Sequence, residues 1–275
     1  MKLLGIIGKP LGKTLGPKMF NTLFQKWDTP WRYLPFQVEA EHLKNLLLCM
    51  KLSDLQGLNV THPYKEKVLP FLDSLEASAR QSGAVNLIVR KKNKFIGINT
   101  DGQGFLKALR TQKKFSPKSK TIVIIGAGGA ARGIAAALAG AGAKEICFFN
   151  RDLARARKAA KHLHRYFPKT LWKFLPLNTK NYQTIFANAT LLVQTTPVFV
   201  KLPLQSLPKK ALVCDIVYNP VQTKFLTQAK KQKLETMDGL WMLFHQAALN
   251  CKLWTGKTVD PVWWRGVFVT KRGCI

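Results

Sequence analysis

One stretch near the middle of the chain leaves few folds open. Thr121-Ile122-Val123-Ile124-Ile125 is a short β-branched apolar run, the pattern of a strand buried on both faces of a parallel sheet. It runs into Gly126-Ala127-Gly128-Gly129-Ala130-Ala131-Arg132-Gly133, and the Ala-rich stretch from Ile134 to Ala143 is helix-forming. A strand, a tight glycine turn and a helix N-terminus together make a site for a pyrophosphate. The glycines let the backbone approach, and the free N–H groups and dipole of the helix hold the anion. The loop follows 125 residues, enough for another domain. The order expected is therefore a substrate domain followed by a dinucleotide-binding domain.

Composition narrows the class further. At 275 residues and 47% apolar, the chain can build two ordinary cores, and no apolar run reaches the ~18 residues of a membrane helix. Gly5, Gly8, Lys9 and Pro10 break the N-terminal stretch too early for a secretory signal, so Leu3 to Gly8 reads as a first buried strand. Cys49, Cys147, Cys214, Cys251 and Cys274 are scattered with no CxxC pair. That usage predicts reduced thiols in the cytoplasm and no metal site. Forty-four basic residues face fourteen acidic ones, a formal charge of +30. Such a field can draw in anionic small molecules or nucleic acid. The basic residues are spread along the chain with no arm or basic tail, which favours a lysine-rich surface with anion attraction as a by-product.

The first part alternates strand and helix signals. Strands are expected at 3–8, 31–37, 58–61, 84–90 and 95–98, and helices at 17–27 and 40–52, the latter with Leu43, Leu46, Leu47 and Met50 on one face. After Asp101-Gly102, a helix to about Thr111 and a basic linker to Lys120 lead into strand 121–125, helix 131–140, strand 145–149, helix 153–167 and strands 191–194 and 212–217. A last helix from Asp238 carries Leu240, Leu243, Phe244, Ala247 and Cys251. The expected fold is α/β in two domains. An N-terminal α/β substrate domain (1–102) is completed by C-terminal helices (238–275), and a Rossmann-type dinucleotide-binding domain spans 103–237.

Polar residues cluster at two predicted strand ends: Asn59-Val60-Thr61-His62-Pro63-Tyr64-Lys65 and Asn99-Thr100-Asp101-Gly102. Such positions beside an α/β cleft commonly carry ligand groups. Lys65 and Asp101 can form a proton-transfer pair, the lysine donating to a developing alkoxide and the carboxylate sharing the proton. The competing reading makes Lys65 one of many surface lysines and Asp101 a helix N-cap. Residue chemistry alone favours the surface reading for Lys65.

Six ordered blocks resemble the shikimate dehydrogenase family. Gly57 to Lys65 resembles its G-x-N-V-T-x-P-x-K, Gly83-Ala84-Val85-Asn86 its G-A-V-N, and Gly97 to Gly102 its G-x-N-T-D-G. Gly126 to Arg132 resembles its cofactor loop. Tyr218-Asn219-Pro220 with Thr223, and Asp238 to Leu243 with Gln246-Ala247, resemble its last two blocks. The resemblance implies NADPH-dependent, reversible reduction of 3-dehydroshikimate to shikimate, with Lys65 and Asp101 as the catalytic pair. It implies that Thr14 and Gly16 meet the substrate carboxylate. Asn59, Thr61, Asn86 and Gln246 hold the ring hydroxyls, and Tyr218 lies near the substrate. For the cofactor it implies Gly126, Gly128, Gly129, Ala130, Asn150, Arg151, Arg155, Thr196, Gly239 and Met242.

The departures carry information too. The family's first motif, G-x-P-[IV]-x-H-S-x-S-P-x-x-H-N, stands here as Gly8 to Asn21, with Thr14 keeping one hydroxyl and Gly16 losing the other. Gly16 offers a backbone N–H, or room for a bulkier C1 substituent. With Leu87 in place of a common Thr, this keeps a quinate or dual-specificity dehydrogenase open. Arg151 and Arg155 support NADP. Asp152 would repel a 2′-phosphate if turned inward, or cap the following helix. Gln194-Thr195-Thr196-Pro197-Val198-Phe199 replaces N-[TA]-T-P-x-G, while Asn188-Ala189-Thr190 precedes the strand and is read as a decoy. That altered block and the charge keep a third reading open, a catalytically degenerate scaffold that binds anions or nucleic acid. The expected partners are a small-molecule substrate, no specific nucleic acid and no membrane. The protein is expected to be a monomer or homodimer.

Overall fold

The structure, a computed structural model, describes residues 1–12, 14–177, 182–270 and 273–274. The fold is α/β, and the chain divides into two compact units. Unit 1 comprises Met1–Thr100 and Ala248–Asp260; unit 2 comprises Asp101–Ala247 and the chain from Pro261 onward.

Unit 1 runs β1 (Lys2–Gly8), α1 (Gly16–Lys26), β2 (Trp31–Gln37), α2 (Leu43–Lys51), β3 (Leu55–Val60), β4 (Ser74–Leu75), α3 (Ala77–Ser82), β5 (Leu87–Lys91) and β6 (Lys94–Ile98). Its mixed sheet has the order β2-β1-β3-β5-β6-β4. The parallel strands β1 and β3 are buried over most of their length, β1 on the apolar run Leu3-Leu4-Gly5-Ile6-Ile7. Ile7, Leu47, Met50, Leu58, Val60, Tyr64, Ile88 and Phe95 form one core. The segment Ala248–Asp260 adds Trp254, which lies where a side chain on Gly57 would stand and donates Nε1–H to the Ile88 carbonyl at 3.0 Å. The expected strand at 84–90 is corrected to Leu87–Lys91. Val85 and Asn86 turn their backbone N–H groups to Lys65 and Ile98 instead.

Unit 2 runs α4 (Asp101–Lys113), β7 (Thr121–Ile125), α5 (Gly129–Gly140), β8 (Glu145–Asn150), α6 (Leu153–His164), β9 (Leu171–Pro176), α7 (Tyr182–Phe186), β10 (Leu191–Gln194), β11 (Leu212–Asp215), α8 (Lys224–Lys231), β12 (Glu235–Met237), α9 (Gly239–Thr255) and α10 (Pro261–Phe268). Helix α9 crosses the division, its residues from Ala248 belonging to unit 1. Within its six-stranded sheet every strand pair is parallel, in the order β12-β11-β10-β7-β8-β9, and β13 (Val269–Thr270) and β14 (Gly273–Cys274) form a separate antiparallel pair. Strand alternation splits the core between the two faces: Ile122, Ile124, Ile146 and Phe148 on one, Val123, Ile125, Cys147 and Phe149 on the other. Strand order reverses between β7 and β10, and in such sheets ligands bind beyond the strand C-termini at that point.

Candidate functional site

In unit 1 the backbone knits three motif blocks together. Val60 N–H donates to the Asn86 carbonyl at 2.9 Å, Val85 N–H to the Lys65 carbonyl at 2.7 Å, and Asn86 N–H to the Ile98 carbonyl at 3.1 Å. A buried amide and hydroxyl relay runs through the same blocks. Tyr33 donates its phenol hydrogen to Asn59 Oδ1 at 2.7 Å, and Asn59 Nδ2 donates to the Asn86 carbonyl at 3.1 Å. Thr100 N–H donates to Asn86 Oδ1 at 2.7 Å, and Thr100 Oγ1–H to Asn250 Oδ1 at 2.6 Å. Asn59, Asn86, Thr100 and Asn250 are all buried. Buried amides cost free energy unless bonded, and these satisfy one another at the β3 and β6 ends. Lys65 and Thr61 are half-buried in the same block, unlike the many exposed lysines elsewhere. Thr14 Oγ1 accepts the Gly16 N–H at 3.4 Å, bringing the two carboxylate candidates together.

In unit 2 the glycine loop lies at the sheet's reversal point. Gly126 has φ +103, open to glycine and strained for other residues, and a Cβ there would stand 2.5 Å from Thr195 Oγ1 of the loop after β10. Gly128 caps α5 without a side-chain hydrogen bond of its own, leaving the helix N-terminus for an anion. Arg155 Nη2 lies 3.6 Å from where a Gly128 Cβ would be. Asp152 resolves in favour of capping: its Oδ1 accepts the Arg155 N–H at 2.9 Å, which commits the carboxylate to the start of α6. Asn150 donates to the Asp152 carbonyl at 2.7 Å, and Arg151 is exposed beside it. A bare loop, an uncapped helix N-terminus and an adjacent guanidinium are residues that fit a dinucleotide carrying an extra phosphate.

Asp101 is the first residue of α4 and is buried at 4% exposure. Two glycines bring α4 close to its neighbours. Gly102 lies against the Gly133 carbonyl of α5, and a Cβ on Gly104 would stand 2.6 Å from the Gln246 Cβ on α9. Gly239 lies against the Ile216 carbonyl, bringing the start of α9 to the segment that carries Tyr218; Met242 is buried on the same helix. Asp215 ends β11 and accepts from Val217 N–H at 3.0 Å and the Thr223 hydroxyl at 2.7 Å. Burial pushes its carboxyl up to about 6 against the pull of those two bonds.

Thr196 donates to the Val198 carbonyl at 3.1 Å, so the 194–199 loop is tied to itself, and Phe199 projects half-exposed; nothing in the structure explains that residue. Thr190 N–H bonds the Thr121 carbonyl at the N-terminal end of the sheet, opposite the glycine loop, as the decoy reading of 188–190 requires. Sequence reasoning missed Tyr33 and Asn250 as parts of the relay. The only sign of Tyr33 is its place in the strand expected at 31–37, and Asn250 lies within a helix read for its apolar face. Among the described residues no group of three or more His, Cys, Asp or Glu is placed to hold a metal, and no helix is long and apolar enough to cross a membrane. Cys49, Cys147, Cys214 and Cys251 are free thiols, while the side chain of Cys274 lies outside the described residues.

Comparison with known proteins covers nearly all of this framework. Residues 6–88 match the shikimate dehydrogenase substrate binding domain, residues 109–239 the shikimate/quinate 5-dehydrogenase family, and residues 239–261 the shikimate 5′-dehydrogenase C-terminal domain. A shikimate dehydrogenase (NADP(+)) of Desulforamulus reducens is 39% identical over 94% of this chain and 91% of its own. The solved shikimate 5-dehydrogenase of Listeria monocytogenes, in complex with shikimate and NAD, superposes with a TM-score of 0.89 at 30% identity, covering 97% of this chain and 96% of its own. That of Thermus thermophilus, in complex with NADP(H) and shikimate, gives 0.83 at 31% identity over 97% and 98%.

Proposed function

Because this chain belongs to the shikimate dehydrogenase family, we propose that it catalyses the NADP-dependent, reversible reduction of 3-dehydroshikimate to shikimate. The observation that carries the reading is the pairing of two features in a chain 39% identical to an NADP-dependent shikimate dehydrogenase. One is a glycine loop with Arg155 at its edge; the other is a buried amide relay at the strand ends of unit 1. Unit 1 binds the ring and unit 2 the nucleotide. Gly126, Gly128, Gly129 and Ala130 take the pyrophosphate, and Asn150, Arg151 and Arg155 the 2′-phosphate side. Thr196, Gly239 and Met242 line the nicotinamide half. When bound, NADPH supplies the hydride.

The chain's own residues orient the substrate and move the proton. Thr14, with the backbone at Gly16, holds the carboxylate. Asn59, Thr61, Asn86 and Gln246 hold the ring hydroxyls, with Tyr218 beside them. Lys65 Nζ donates a proton to the oxygen that becomes the C3 hydroxyl, and the Asp101 carboxylate shares it; in the reverse direction the same pair removes it. Alignment and charge stabilisation at the developing alkoxide are the protein's share of the catalysis. In this reading the protein is a cytoplasmic monomer or homodimer with no specific nucleic-acid partner.

The test is reduced-nicotinamide absorbance with purified protein, offering shikimate and quinate in turn with NADP⁺ and then NAD⁺. Fastest turnover with shikimate and NADP⁺ is expected. A higher kcat/KM for quinate would replace the substrate assignment, and folded protein that reduces neither cofactor with either acid would overturn the reaction.

A further inference from the structure

Gly16 stands where the family's motif has a serine, yet its neighbourhood is filled. A Cβ on Gly16 would lie 3.3 Å from both Cε1 and the hydroxyl oxygen of Tyr33, and 3.6 Å from Thr14 Oγ1. That is closer than an ordinary van der Waals contact, so the glycine and the phenol are matched. The tyrosine is fixed from three sides. It is 1% exposed, its ring stacks on Phe20 at 4.6 Å, and its backbone is clasped by Asn21, which donates to the Tyr33 carbonyl at 2.9 Å and accepts its N–H at 2.8 Å. Its hydroxyl donates to Asn59 Oδ1 at 2.7 Å.

An amide can present either its oxygen or its nitrogen to a ligand, and its neighbours decide which. Asn59 has its oxygen claimed by the Tyr33 phenol and one N–H by the Asn86 carbonyl at 3.1 Å. The amide is thereby held with its second N–H to give to a ring hydroxyl. We infer that Tyr33 is a positioning residue for substrate binding: its phenol takes the space vacated at Gly16 and sets the orientation of the Asn59 amide. The inference rests on the reading of Asn59 and Gly16 as substrate-side residues. It closes the room that Gly16 would otherwise offer to a bulkier C1 substituent.

The experiment measures shikimate affinity by titration calorimetry alongside steady-state kinetics and Tm for wild type, Tyr33→Phe and Gly16→Ala. Tyr33→Phe keeps the ring and removes the hydroxyl. Loss of one orienting hydrogen bond should weaken shikimate binding and raise its KM about tenfold, with kcat within about twofold and the NADP⁺ KM unchanged. Gly16→Ala, which crowds the phenol, should show the same split. Unchanged shikimate affinity in folded Tyr33→Phe overturns the inference, whatever happens to its Tm. If that variant does not fold, unchanged affinity in Gly16→Ala overturns it equally. Wild type that binds shikimate but reduces no nicotinamide would overturn the proposed reaction and leave the role of Tyr33 to be read from the same titrations. Wild type that does not bind shikimate would overturn both.

Discussion

Lys65 owes its place to its backbone: the carbonyl accepts the Val85 N–H at 2.7 Å, in a segment whose neighbours Tyr64 and Val68 are core residues. Lys65 is half-buried in the block that also carries Asn59 of the relay, and the proposed mechanism has its ammonium act on a substrate oxygen. Lys65→Ala is expected to lower kcat by about 10²- to 10⁴-fold, the usual worth of one acid–base group, while NADP⁺ affinity measured by fluorescence quenching is unchanged. Turnover within a few-fold of wild type would remove Lys65 from the mechanism. Asp215 gives a second prediction. Its carboxyl titrates near 6 when folded against an ordinary 3.8, so the folded state holds its proton more tightly than the unfolded one. The resulting stability is full below about pH 4 and is lost as pH rises to about 6, a swing of up to about 3 kcal/mol. Asp215→Asn, which removes the titration, should show a flatter dependence of urea-unfolding stability on pH between 4 and 6. Parallel pH profiles for the two proteins would refute the assignment.

At the scale of elements, the proposed recognition of the nucleotide is divided between α5 and α6: the N-terminus of α5 would take the pyrophosphate, and Arg155, in the first turn of α6, lies over Gly128. Arg155→Ala is expected to raise the KM for NADP⁺ at least about tenfold, through the loss of a charge-assisted contact, and to leave the KM for NAD⁺ nearly unchanged. Equal effects on both would show that the guanidinium serves the loop rather than the 2′-phosphate. The sequence was legible where one signal dominated. Strands β7, β8, β10 and β11 are buried on both faces, and such strands need continuous apolar runs. The Gly126 loop was legible because only glycine tolerates its φ. The segments left unassigned are short or lie at edges. β12 is three residues long, β9 mixes Lys173 and Pro176 into an edge strand, and α8 is an eight-residue helix whose start is marked only by the Thr223 cap. Asp152 as phosphate repeller or helix cap could not be settled from its type alone, since both uses favour the same residue; the backbone N–H of Arg155 decides it. Tyr33 was illegible as a site residue because its role is set by Asn59 and Gly16, partners 26 and 17 positions away.

Over the whole molecule the +30 charge dominates, with few acidic side chains to offset it. Described ion pairs such as Lys113–Glu235 and Lys173–Glu145 engage a handful of the cations. Like charges repel in the compact state, and salt screens that repulsion over ~10 Å at 0.1 M. The Tm is therefore expected to rise as sodium chloride goes from about 10 to 150 mM, because screening removes net repulsion. A fall in Tm would mean that the ion pairs outweigh the repulsion. The way Ala248–Asp260 completes unit 1 has a consequence for the order in which the molecule is made. Trp254 reaches back 166 positions to Ile88, and Asn250 reaches back 150 positions to Thr100. The first hundred residues thus leave the ribosome without the indole that fills the space over Gly57 or the amide that ends the relay. They must wait while the nucleotide-binding sheet is translated, so the half of the protein made first is among the last to finish.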